Sequence, residues 1–222
     1  IAFRHNATST SSYYWLDDFK VELSPSCIEP ANLATNNLTT NSIDLSWTPL
    51  LTPPTNGYDI YLSLNNTAPT VSTTATYNTG NAGYYTINGL DAQTTYYVWL
   101  RSICSVGDTS AWAIPVTFTT LCAPESTLPY TQNFDSYSSG EYPDCWLRPV
   151  INSGFPSIVS GSSYYVSSPN GLKFQSLTTT PTYAISPAFS EDIQNLRVKF
   201  QLRAESTTSS GTIELGVMSD PY

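Results

Sequence analysis

Apolar and polar residues alternate with a period of two through most of this chain. Pro, Gly or Asn breaks the alternation about every 8–12 residues, the rhythm of an all-β sandwich. The runs SIDLSW (42–47), GYDIYL (57–62), GYYTIN (83–88), YYVWLRSIC (96–104) and PVTFTT (115–120) are predicted strands. So are GLKFQSL (171–177), NLRVKFQLRA (195–204) and GTIELGVM (211–218). Within NLRVKFQLRA, Leu196, Val198, Phe200 and Leu202 face one way, and Arg197, Lys199 and Gln201 the other. An eighth-residue rhythm of turns leaves no room for the longer stretches a helix needs, and helical patterning is almost absent.

The opening stretch IAFRHNATSTSSYYWLDDFKVEL (1–23) poses a difficulty for this reading. It contains the strand-like run YYWLDDFKVEL and the aromatics Phe3, Tyr13, Tyr14, Trp15 and Phe19, yet nothing precedes it with which to pair. A lone strand satisfies neither its backbone nor its apolar side chains. The expectation is that the chain begins inside a longer polypeptide and that this run completes a unit upstream or pairs with something later.

Charged residues make up 11% of the chain, well below the ~25% usual in soluble domains. Tyr and Thr, which suit a pleated and half-buried surface, are abundant instead. The net charge is −9 with 8 Lys plus Arg, so there is no basic surface to displace counterions from phosphate or to hold an anionic membrane. No nucleic-acid partner is expected. No apolar run approaches the roughly 20 residues of a membrane-spanning helix.

The four cysteines, Cys27, Cys104, Cys122 and Cys145, form no CxxC, and the single histidine, His5, is far from them in sequence. Zinc sites want Cys and His pairs at short spacing, so disulfides in an oxidising compartment are the better reading. Spacing alone leaves all three connectivities open. A Ser–His–Asp or Cys–His arrangement would have to use His5, and HExxH, GxSxG and P-loop patterns are absent. The 17 acidic residues show no obvious catalytic pair. No catalytic residue is assigned, and the chain is read as not being an enzyme.

Two Pro-bearing stretches, LSPSCIEPA (23–31) and LCAPESTLP (121–129), look like linkers and bracket a middle piece of the size of one small sandwich. Within it, GLDAQTTYYVWLRS (89–102) fits the pattern Leu-x-Pro-x-Thr-x-Tyr-x-Val-x-Val through Leu90, Thr94, Tyr96, Val98 and Leu100, with Ala92 where proline is usual. Trp47 closes the strand IDLSW. Residues 27–122 thus resemble a fibronectin type III domain. The resemblance implies that Trp47 lies in the core and that Tyr96 forms a tyrosine corner, ring inward and hydroxyl on upstream backbone. Alternation with Tyr96, Val98 and Leu100 turns Tyr97 and Trp99 outward or into a domain interface, either as a ligand platform or as ordinary cross-strand packing. That fold also implies the pairs Cys27–Cys104, at the pole where the first strand starts and the sixth ends, and Cys122–Cys145, clamping the second linker.

Residues 126–222 resemble the front of a jelly-roll module of the cleaved-adhesin or MAM-like type, also called choice-of-anchor J, found in secreted Bacteroidota proteins. The resemblance rests on the opening NFDSYSSGEYPDCW and on GTIELGVMSDPY. Residues 1–23, with IAFRH and LDDFKV, resemble the close of the same module type. The implied architecture is all-β: a fibronectin type III sandwich over 27–122 flanked by the C-terminal strands (1–23) and the N-terminal part (126–222) of jelly-roll modules. Residues 1–23 could also dock onto 126–222, in cis or from a neighbouring copy.

Jelly rolls of this broad type often hold a structural calcium, for which Asp17, Asp18 and Asp135 are the candidate ligands. Otherwise these acids are solvated residues at strand edges. The sequons at Asn6, Asn37 and Asn65 are read as unmodified in a bacterial setting and as marking exposure.

The resemblance implies a secreted or surface-anchored bacterial adhesin exported by type 9 secretion machinery. Fibronectin units would act as spacers, and jelly rolls would bind glycans or host, matrix or cell-surface proteins. The alternatives are an accessory region of a secreted hydrolase and a purely structural stalk. Tyr164, Tyr165 and Phe155 are possible contributors to an exposed aromatic surface.

Overall fold

The computed structural model describes residues 1–5, 13–21, 25–149, 156–161, 167, 169–175, 181–204 and 211–218. Asn6, Phe155, Tyr164 and Tyr165 lie outside the described residues.

Two sheets form the middle of the chain. The smaller consists of β1 (Ala31–Asn36), β2 (Ser42–Thr48) and β5 (Tyr84–Asn88) in the order β1-β2-β5. The larger is built on β3 (Tyr58–Ser63) and β6 (Thr95–Ser105), extended by β4 (Tyr77–Asn78), β7 (Asp108–Thr109) and β8 (Val116–Thr119). All pairings are antiparallel. No α-helix occurs among the described residues.

The alternation predicted from sequence is what fills the space between the sheets. Ile43, Leu45 and Trp47 of β2 and Ile87 of β5 meet Tyr58 and Ile60 of β3, Tyr96, Val98 and Leu100 of β6 and Phe118 of β8. Trp47 packs edge to face on Tyr58, with centroids 5.3 Å apart. Each of these large side chains withdraws apolar area worth about 1.5–3 kcal/mol from water. Gly57 enters β3 at φ 79°, where a Cβ would collide with the backbone of Gly80, so only glycine fits this close approach.

Tyr96 forms the expected corner. Its ring stacks on Phe118 at 5.7 Å and its hydroxyl accepts the Asp91 N–H at 3.0 Å. Cys27 is bonded to Cys104 and Cys122 to Cys145, each with Cα atoms 5.7 Å apart. These are the pairs that the resemblance implies.

Several predictions of strand position differ from what is observed. β1, β4 and β7 are additions. The sequence of β1, ANLATN, is poor in β-formers and pairs because β2 offers it an open edge. Beyond the sandwich, β9 (Ser157–Ser160) and β10 (Asn170–Lys173) make a two-stranded sheet, where only the second was foreseen. Isolated bridges join Glu125 to Phe189 and Leu147 to Ile185. The described residues of 13–23, 195–204 and 211–218 carry no strand, apart from a single 3₁₀ turn at Ile193–Asn195 that overlaps the second stretch. Their alternation is real, but a strand exists only by hydrogen bonding to a neighbour. Asn37 and Asn65 are exposed, as their sequons suggested.

Tyr96→Phe deletes the corner's acceptor while keeping its ring. It is expected to destabilise by about 1 kcal/mol, read as a lower urea midpoint at unchanged m-value.

Candidate functional site

The outer face of the larger sheet carries the most developed side-chain constellation. Register places Asp59 opposite Arg101, Tyr61 opposite Trp99 and Ser63 opposite Tyr97. All six point away from the core because their neighbours Tyr58, Ile60, Val98 and Leu100 point into it. The Arg101 guanidinium donates from Nε and Nη2 to one Asp59 oxygen at 3.0 and 2.9 Å, and from Nη1 to the Val71 carbonyl at 3.0 Å. It lies over the Trp112 ring, 4.3 Å from its centroid, and Trp112 Nε1 donates to the Thr70 carbonyl at 2.9 Å. Tyr61 bridges the rings of Trp99 and Trp112, with centroids at 5.7 and 6.1 Å.

Tyr97 and Trp99 are therefore on the outer face as expected, but Trp99 is only 2% exposed. The segments around Thr70–Val71 and Trp112 fold across the sheet and cover it. Of the two readings of this face, ligand platform or ordinary cross-strand packing, the burial of Trp99 favours packing, while Tyr61, Tyr97 and Trp112 are partly exposed. Asp59, Arg101 and Trp112 were missed by sequence reasoning. The signal was present in the spacing of Asp59 with Tyr61 and of Trp99 with Arg101, two steps apart on paired strands. Chemically the constellation holds the Asp59 carboxylate in an ion pair with Arg101. It fixes a cation and a set of aromatic edges, and it pins two loops.

The outer face of the smaller sheet is polar. Asn32, Asn36 and Asn37 donate from their side-chain amides to Thr48, Ser46 and Asp44 of β2. Hydrogen bonds from Thr86 and then Asn37 hold the Asp44 carboxyl below its ordinary range. Asp44 therefore contributes stability above its unfolded pKa, and this is lost as pH falls through the lower folded value.

The three acids expected to bind calcium lie in two separate places in the chain. Asp17 and Asp18 are exposed, and the Asp18 N–H donates to Asp17 at 2.8 Å. Asp135 sits in a loop closed by Asn170. Its carboxylate accepts from Asn133 Nδ2 at 2.8 Å and from the Asn170 N–H at 3.3 Å. Asn170 Nδ2 in turn donates to the carbonyls of Phe134, Asp135 and Tyr137. These are hard oxygens of the type calcium takes, and here the two asparagines engage them. Among the described residues there is no group of three or more His, Cys, Asp or Glu that could hold a metal ion. His5 lies against the Tyr14 ring at 4.8 Å.

Asp59→Ala or Arg101→Ala leaves its partner as a largely buried, uncompensated charge. Each is expected to cost about 3–5 kcal/mol, with the double variant far from additive, in a denaturation-based double-mutant cycle.

The geometry can be set beside known proteins. No curated protein matches the chain. Among solved structures, a myokine structure is 25% identical, covering 44% of this chain and 99% of its own, with a TM-score of 0.34. A fibronectin type III domain of human collagen XX is 24% identical, covering 46% of this chain and 100% of its own, with a TM-score of 0.35. The fibronectin type III domain of human fibronectin type III domain containing protein 3 is 22% identical, covering 47% and 93%, with a TM-score of 0.34. The family model for the fibronectin type III domain matches residues 29–119. That span of the chain matches this family and folds as a two-sheet all-β sandwich.

Proposed function

We propose that this chain is a non-catalytic segment of a secreted or cell-surface bacterial adhesin, with the fibronectin domain as a stiff spacer between binding units. The observation that supports this most is the placement of the two disulfides. Cys27–Cys104 fastens the residues that enter the sandwich to the end of β6. Cys122–Cys145 fastens the residues that leave it to the segment that follows. A bridge at each junction limits hinge motion, which is what a spacer under load needs. Disulfides also accord with an extracellular location. No helix among the described residues is long and apolar enough to cross a membrane.

The binding surfaces in this reading are the flanking segments, and their ligands are glycans or host, matrix or cell-surface proteins. Calcium held by Asp135, or by Asp17 and Asp18, would order those segments. The test is a screen of the folded, disulfide-bonded protein on glycan and matrix-protein arrays, with calcium and with EDTA. Saturable binding is expected, reduced by EDTA and by Asp135→Ala. An absence of binding in both conditions would contradict an adhesive role and leave only the spacer.

A further inference from the structure

β5 ends the smaller sheet and pairs with β2 alone. Trp47 donates its N–H to the Gly83 carbonyl at 3.1 Å, and the register carries that bonded pairing on to Leu45 with Tyr85 and Ile43 with Ile87. Tyr84, Thr86 and Asn88 therefore direct their N–H and C=O groups away from the sheet. Among the described residues nothing hydrogen-bonds to those groups. Backbone left open in this way is a template for another strand. The other edges of the sandwich are guarded. β1 has a register shift between Ala31 and Ala34, with Asn32 at φ 56°. β4 and β7 have two residues each, and β8 has four and is entered from Pro115. Short strands, irregularities and proline all discourage edge pairing. β5 has none of these: YYTIN is regular, rich in good strand formers, and free of proline and of charge.

This edge is complementary to itself. Set antiparallel against a second copy with Thr86 on the two-fold axis, Tyr84 faces Asn88 of the second copy, Thr86 faces Thr86, and Asn88 faces Tyr84. The outward residues are spaced evenly about Thr86, so every outward N–H meets an outward C=O. On the inner face Tyr85 then lies opposite Ile87 of the second copy, an aromatic and β-branched pair of the kind that stabilises sheets. Charge permits the approach. The chain carries a net charge of −9, yet no charged residue lies between Asp59 and Asp91. The acid beside this edge is Asp44, directly across from Thr86 on β2. In the paired arrangement the two copies of Asp44 are three strand spacings apart, ~14 Å, beyond the ~8–10 Å over which exposed charges act at ordinary salt.

We infer that two copies of this chain join edge to edge through β5, antiparallel about Thr86, so that their smaller sheets become one continuous sheet in the order β1-β2-β5-β5-β2-β1. Such a contact is isologous and closes on a dimer. One strand edge buries less than the ~1,200–2,000 Å² of a standard stable interface, so the dimer is weak and reversible. The inference does not depend on the adhesive reading, because it concerns self-association and not a ligand.

Cross-linking of the 222-residue chain tests it. All four cysteines are in disulfides, so Thr86→Cys supplies a single free thiol. In a bonded antiparallel pair facing Cα atoms are ~5.5 Å apart, within disulfide range. Two Tyr84 positions, or two Asn88 positions, are offset by four residues, ~13 Å along the strand, and are outside it. All three side chains are exposed, so the fold is kept, and circular dichroism checks each variant. In a glutathione redox buffer Thr86→Cys is expected to form covalent dimer at least ~10-fold faster than Tyr84→Cys or Asn88→Cys alone. An equimolar mixture of the latter two is expected to match Thr86→Cys. In sedimentation equilibrium up to about 1 mM, the wild-type chain is expected to give a dimer of 24.3 kDa units. Thr86→Lys, which sets like charges opposite each other across the axis, is expected to stay monomeric. Equal cross-linking rates for the three cysteine variants would overturn the inference. So would a wild-type chain that stays monomeric over that range, or a Thr86→Lys variant that dimerises as the wild type does.

Discussion

The larger sheet is organised around β6. This strand of eleven residues pairs with β3 along one edge and with β7 and β8 along the other. Its inner face supplies Tyr96, Val98 and Leu100 to the core, while its outer face supplies Trp99 and Arg101 to the aromatic cluster. Its far end carries Cys104, the anchor for the residues entering the domain. A strand with both faces buried has to be apolar on one side and fully paired on the other. Arg101 meets that condition because all three of its guanidinium nitrogens have acceptors.

The two disulfides extend that constraint beyond the sheet. Each closes a junction at which a Pro-bearing connection would otherwise be loose, one at either end of β6. The loops spanning 77 and 23 residues restrict the unfolded chain as well as the folded one. The spacer reading proposed above rests on these two connections.

Much of the middle domain was legible in the sequence because its signals are local. Leu90, Thr94 and Tyr96 carry the family resemblance that implies a corner, and alternation in SIDLSW and YYVWL names core residues. The burial of Trp99 was not legible, since it depends on Thr70, Val71 and Trp112 arriving from distant loops to cover the outer face. β1 was missed for the opposite reason: ANLATN has no strong strand signal and owes its state to its partner. Strands were expected at 195–204 and 211–218 and the described residues there form none, because period-two patterning states which face is to be buried but not what will bury it. For the candidate site, Asp135 could be named but its partner could not. Asn170 is 35 residues away and comes beside it only through the β9–β10 hairpin.

The pole-to-pole arrangement is the centre of this account, and peptide mapping of the unreduced protein tests it most directly. The digest should contain the linked peptides of Cys27 with Cys104 and of Cys122 with Cys145, with no free thiol. A link between Cys27 and Cys145, or between Cys104 and Cys122, would tie the two flanks together at one pole and contradict it.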